Sequence, residues 1–195
     1  MSEIVDPDEN LISAAQNGDS QALEILLKNH YEKIWGICKR LMINDQDALD
    51  ATQESLIAIA TRINKFERRS KFSTWIYRVT TNICFDELRK KSRIPVPDSE
   101  SGQLEISIEP SFENQIDDKL LINEVLNLLP NEFKAVLVLR DLCDLNYDEI
   151  SEILNIPIGT VRSRISRGRS AINNYLTNGN QPDSSKRQKG NYERF

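Results

Sequence analysis

Apolar side chains return every three or four residues along most of the chain, and no stretch shows the strict alternation of a half-buried strand. The pattern predicts an all-α protein. A first long helix starts at Asp19 or Ser20, either of which can cap it, and buries Leu23, Leu26, Leu27, Tyr31, Ile34, Cys38 and Leu41. Asn44 or Asp45 caps a second, with Leu49, Thr52, Leu56, Ile59, Ala60 and Ile63 as its inner stripe. After a polar, basic loop from Asn64 to Lys71, Ser73 caps a third helix running to about Lys91, where Pro95 and Pro97 prevent continuation. Helical spacing resumes over Leu120 to Leu129, from Pro130 to about Cys143, and in a closing pair between Asn146 and Leu176.

The interruption divides the chain. From Asp98 to Asp118 stand Asp98, Glu100, Glu105, Glu109, Glu113, Asp117 and Asp118 with no Lys or Arg, together with Gly102 and Pro110, the composition of an extended acidic linker. The expected organisation is two small helical domains joined by that flexible linker. An N-terminal tail covers 1–10, the first domain 11–95, the linker 96–118, the second domain 119–177 and a disordered tail 178–195. At 39% hydrophobic content, 195 residues can supply both cores.

Composition excludes several function classes. No segment is apolar for the length a membrane helix needs, and MSEIVDPDEN is polar and acidic where a secretory leader is basic and then apolar, so no membrane insertion and a cytoplasmic location are expected. Cys38, Cys84 and Cys143 are far apart in sequence and lack metal or redox spacing, which predicts buried free thiols. His30, the only histidine, is expected on a helix surface or at the edge of a core. With no phosphate-binding glycine loop either, no catalytic residue, cofactor or metal is expected.

The formal net charge is −5, yet the segment Asn146 to Arg169, NYDEISEILNIPIGTVRSRISRGR, reverses sign in its second half. Asn146 and Glu149 form a capping-box pattern, Ile150, Ile153 and Leu154 make an apolar face, and Ile156-Pro157-Ile158-Gly159 makes a turn that opens a second helix. There Val161, Ile165, Gly168 and Ile172 face inward, with Gly168 permitting close approach. Arg162, Ser163, Ser166, Arg167 and Ser170 face outward, flanked by Arg164 and Arg169. Turn, cap and face coincide as a helix-turn-helix demands, and arginines and hydroxyls suit base edges and phosphates of a major groove.

A second basic region precedes the linker. Arg62, Lys65, Arg68, Arg69, Lys71, Arg78, Arg89, Lys90, Lys91 and Arg93 are interleaved with Phe66, Phe72, Trp75 and Tyr77, a mixture suited to single-stranded nucleic acid. On the helix from Ser73, one stripe is Trp75, Arg78, Asn82, Asp86 and Arg89, and another, Ile76, Val79, Thr80, Ile83 and Leu88, is core. Trp75 and Tyr77 also suit the cap of a small helical core, so both readings stand.

Four segments in this order, DQDALDATQESL, KFSTWIYRVTTNICFDELRKKSR, LPNEFKAVLVLRDL and NYDEISEILNIPIGTVRSRISRGR, resemble a bacterial RNA polymerase sigma factor of the extracytoplasmic-function group over residues 11 to 176. The resemblance implies a promoter-specificity subunit that directs transcription initiation. It implies that Asp50, Gln53 and Glu54 meet the clamp helices of the largest subunit of core RNA polymerase. It maps the minus-10 reader onto the loop Asn64 to Lys71, which would accept a base flipped from the melted non-template strand, and onto Phe66, Lys71, Trp75, Tyr77, Arg78, Asn82 and Arg89. The minus-35 reader maps onto Arg162, Ser163, Arg164, Ser166, Arg167 and Arg169, on duplex promoter DNA. An anti-sigma protein is a further partner the family implies. The rival reading is a helix-turn-helix regulator acting without polymerase, which accounts for the C-terminal pair but not for the aromatic-basic region.

Overall fold

A computed structural model describes residues 6–93 and 125–178. The linker expected at 96–118 and the tail beyond 178 lie outside them, as do residues 120–124 of the helix expected at Leu120 to Leu129; residues 125–127 are helical. The described residues are helical throughout apart from turns, in two groups. The first comprises α1 (Glu9–Gln16), α2 (Ser20–Leu41), α3 (Asp45–Arg62), a 3₁₀ turn (Ile63–Lys65) and α4 (Phe72–Arg93). The second comprises α5 (Asn131–Leu137), continued by a π-helical turn (Val138–Leu142), then α6 (Tyr147–Leu154) and α7 (Ile158–Asn178).

Local chemistry sets the boundaries. Asp19 caps α2 by accepting from the backbone N–H of Gln21 and Ala22, and Asn44 caps α3 through Asp47. Of the tail expected at 1–10, residues 9 and 10 already belong to α1, whose Ile12 and Ala15 are buried and whose approach carries two structural carboxylates. Asp6 Oδ2 accepts from Phe72 N at 2.6 Å, and Asp8 Oδ2 lies 2.8 Å from His30 Nε2. Ser73 therefore does not cap α4: the helix begins a residue earlier, and the carboxylate that meets its first N–H comes from 66 residues upstream.

The first core is built from Ile12, Leu26, Ile34, Ile37, Leu41, Ile59, Phe72 and Ile76, all essentially inaccessible. Two expected core positions are corrected: Tyr31 and Leu49 are 39% and 42% exposed. Each sits at the margin of an amphipathic stripe, where the 3.6-residue repeat drifts out of the contact with neighbouring helices. Cys38 and Cys84 are buried and, although distant in sequence, their sulfurs are 3.7 Å apart, the Cys84 thiol directed at Cys38. That hydrogen bond is the main influence holding the Cys38 pKa below its ordinary value. Cys143 is a half-buried free thiol, its pKa pushed up to about 12 by burial.

In the second group Ala135, Val136, Leu137, Leu139, Ile150, Val161 and Ile165 form the core. A Cβ on Gly168 would come within 2.9 Å of Leu137 Cδ1, so glycine lets α7 pack closely on α5 where a larger residue would push the Leu137 tip aside. The groups also touch: α6 packs on α4, and the π-helical turn on α2, where Lys33 Nζ donates to Leu142 O at 2.5 Å.

Candidate nucleic-acid interface

The angle between α6 and α7 is fixed by short-range bonds. Asn146 and Glu149 complete a reciprocal capping box, with both bonds at 2.9 Å. Asn155 closes α6 in the left-handed region at φ 51°, and Ser151 Oγ donates to Ile156 O at 2.6 Å across the turn. Pro157 O accepts from Thr160 N at 2.8 Å and from Val161 N at 3.1 Å, starting α7. Val161, Ile165 and Gly168 are buried, as their spacing predicts, which turns Arg162, Ser163, Ser166 and Arg167 outward and leaves all four exposed.

The flanking arginines behave differently. Arg164 Nη2 meets Glu132 Oε2 at 2.7 Å and Arg169 Nη2 meets Asp141 Oδ1 at 2.9 Å, so each braces α7 against the preceding helical segment. Arg162 has its guanidinium 6.0 Å from the centre of the Tyr147 ring. Arg167 makes no ion pair among the described residues and stands free at the centre of the outward face.

The aromatic-basic region is less open. Phe66 is buried against Phe72 and Trp75, with ring centroids 5.2 and 5.6 Å away, and Trp75 stacks on Phe72 at 5.6 Å. Trp75 stays half-buried and Lys71 exposed. Tyr77 is buried with Cys143 close enough to act on it, and burial first, then Cys143, pushes its pKa up to about 12. Arg78 Nη2 lies 3.6 Å from Glu152 Oε2 on α6, and its Nε is buried with no hydrogen-bond partner among the described residues. Asn82 is exposed, as is Arg89, which pairs with Asp86 at 3.0 Å. Of the residues assigned to this reader, Phe66 and Tyr77 are therefore inaccessible in this arrangement, and Arg78 is engaged by the other helical group.

On α3, Asp50, Gln53 and Glu54 are exposed as expected, and sequence reasoning missed what lies beside them. Leu49 and Ile57, four residues either side of Gln53, are exposed apolar side chains, Ile57 at 64%. An isolated apolar residue outside the buried stripe was the available signal.

The family model for sigma-70 region 2 matches residues 26–94, and that for sigma-70 region 4 matches residues 119–172. The ECF RNA polymerase sigma factor SigW of Bacillus subtilis (strain 168) is 34% identical over 184 residues, spanning 85% of this chain and 94% of the relative. The chain belongs to the ECF sigma factors. RNA polymerase sigma-H factor of Pseudomonas aeruginosa is 31% identical over 87% of this chain and 93% of its own length. Among solved structures, CnrH in complex with the cytosolic domain of CnrY superposes with a TM-score of 0.67 at 19% identity, over 90% of this chain and all of that one. The sigma factor RpoE of Bartonella quintana, solved with the anti-sigma factor NepR, gives 0.64 at 20% identity over 79% of this chain and 96% of that one. Those two likenesses show a shared fold. Within the ECF sigma factor, the region 2 match thus runs from inside α2 through α4, and the region 4 match takes in α5, α6 and most of α7.

Proposed function

We propose that this sigma factor docks on core RNA polymerase through the exposed face of α3 and places α7 in the major groove of the minus-35 element. It then helps open the promoter by holding non-template bases against the loop at residues 64–71 and the outer face of α4. The observation that carries this reading is the outward quartet Arg162, Ser163, Ser166 and Arg167, presented by a turn whose capping, left-handed and proline-initiated bonds are all in place. Arg167 supplies a bidentate donor for guanine and the two serines adaptable partners, while Arg164 and Arg169 set the pitch of the helix. Asp50, Gln53 and Glu54, with Leu49 and Ile57, offer a mixed acidic and apolar ridge to a partner helix.

Opening DNA requires more rearrangement than binding it. Tyr77 and Arg78 reach a strand only after α6 leaves α4, so engagement of polymerase separates the two domains. Capture of flipped bases then offsets an unpairing cost of a few kcal/mol. The chain contributes no catalytic step of its own and works in the cytoplasm beside polymerase. The solved likeness of RpoE bound to the anti-sigma factor NepR supports a regulatory partner of the anti-sigma class for this chain as well. Run-off transcription with core polymerase on a promoter library tests the reading. Discrete starts from a two-part consensus are expected; tight binding to one duplex site without polymerase, and no directed initiation with it, would replace it with the rival regulator.

A further inference from the structure

The loop between α3 and α4 is held from behind by α1. Gln16, the last residue of that helix, donates its amide Nε2 to Ile63 O at 2.9 Å and to Phe66 O at 3.0 Å, and its Oε1 accepts from Arg68 Nη1 at 2.8 Å. Arg68 directs its remaining groups to α1 as well, Nε to Glu9 Oε1 at 2.8 Å and Nη2 to Ser13 Oγ at 3.0 Å. The backbone of Arg68 sits at φ 57°, a left-handed conformation that a non-glycine residue keeps only where surrounding bonds impose it. The fork of three bonds to α1 is that imposition. It also pairs the Arg68 charge with Glu9, on a side chain that stays 41% exposed; of the other exposed cations of the loop, Arg69 pairs with the nearby Glu67, so Arg68 is the one whose pairing reaches α1.

We propose that Gln16 and Arg68 are positioning residues for strand opening: by tying residues 63–68 to α1 they preorganise the loop that receives a flipped base, and neither contacts DNA itself. This deepens the promoter-opening role given above and rests on it. A loop already in its receiving shape avoids an ordering cost when the base arrives. Arg68, counted among the basic residues of a nucleic-acid surface by its sequence context, then acts on the protein and not on a phosphate.

The test uses the full chain with core polymerase on one matched promoter, as closed duplex and with a pre-opened minus-10 bubble. Gln16→Ala and Arg68→Ala should each lower open complexes on the duplex roughly tenfold and start normally on the bubble, a rescue that an unfolded variant could not give. The double variant should be no worse than either single one, because both cut one network. The salt dependence of promoter binding should be unchanged, and Arg68→Lys should not restore opening, since an ammonium cannot span three acceptors. If Arg68→Ala instead reduces the salt slope by about one while Gln16→Ala is silent, Arg68 is a phosphate contact and the proposal falls. Amide exchange at residues 63–72 of the free chain should quicken in both variants, and unchanged protection overturns the tether even if the wild-type chain starts no transcripts. That last failure by itself would strike the sigma-factor mechanism and leave the exchange result to decide the tether.

Discussion

The two candidate DNA readers are both helices with outward arginines, but one is finished and the other is covered. On α7 Arg162, Ser163, Ser166 and Arg167 are exposed, and Arg164 and Arg169, mapped to the same reader, are drawn sideways into ion pairs with Glu132 and Asp141. On α4 the corresponding side chains are shared: Trp75 belongs half to an aromatic cluster with Phe66 and Phe72, Tyr77 is buried, and Arg78 points at Glu152. The difference matches the role proposed for each. A duplex offers a rigid groove to a preformed helix, whereas an unstacked base needs an apolar face, and such a face in an unbound protein is stable only when something covers it.

The largest expected effect of breaking this contrast is at Trp75. Because it stacks on Phe72 and packs against Phe66, Trp75→Ala should destabilise the first domain by about 2 to 3 kcal/mol, below the range for a fully buried tryptophan, and impair promoter opening more than polymerase binding. Thermal melting and permanganate reactivity of promoter thymines measure the two effects. Unchanged melting of promoter DNA would remove Trp75 from the reader. Arg167→Ala should do the opposite: stability moves by less than roughly 0.5 kcal/mol, while discrimination at one minus-35 position falls by about 1 to 3 kcal/mol. Competition between promoters differing at single minus-35 bases reads it directly. Equal losses at every base would recast Arg167 as a phosphate contact.

How far the sequence disclosed this contrast depends on the range of the forces involved. The helix-turn-helix was legible in detail, since its capping box and proline turn connect neighbours in sequence, and the inward face of α7 shows in its spacing even though the partner of Gly168, Leu137 on α5, does not. The cores of α2, α3 and α4 were legible from their period, except where Tyr31 on α2 and Leu49 on α3 mark the edges of their stripes. The helix α1 was missed because eight residues with two buried apolar side chains carry little periodicity. Its importance is tertiary: Asp6 meets Phe72, and Gln16 meets Ile63 and Phe66, pairings that no local spacing announces. The Cys38 and Cys84 contact, and the covering of Tyr77 and Arg78, are hidden for the same reason.

The smallest expected effect, and the finest probe of the contrast, is at Glu152. Its pair with Arg78 is 3.6 Å long and its side chains are 65% and 41% exposed, so it contributes less than about 1 kcal/mol to keeping α6 on α4. The same closure leaves Arg78 Nε buried without an acceptor, a cost that opposes it. Glu152→Lys sets two cations against each other and should shift the free chain toward separated domains by up to about fivefold. Energy transfer between labels on α2 and α7 should report the shift, and added salt should shrink it. Bound to polymerase, where the proposed mechanism has the pair parted, the variant should open promoters at the wild-type rate. A slower rate there, with domain spacing unchanged in the free chain, would mean that Glu152 acts at the DNA and that the cover over α4 is held instead by Lys33 on Leu142 and the packing of Gly36 beside it.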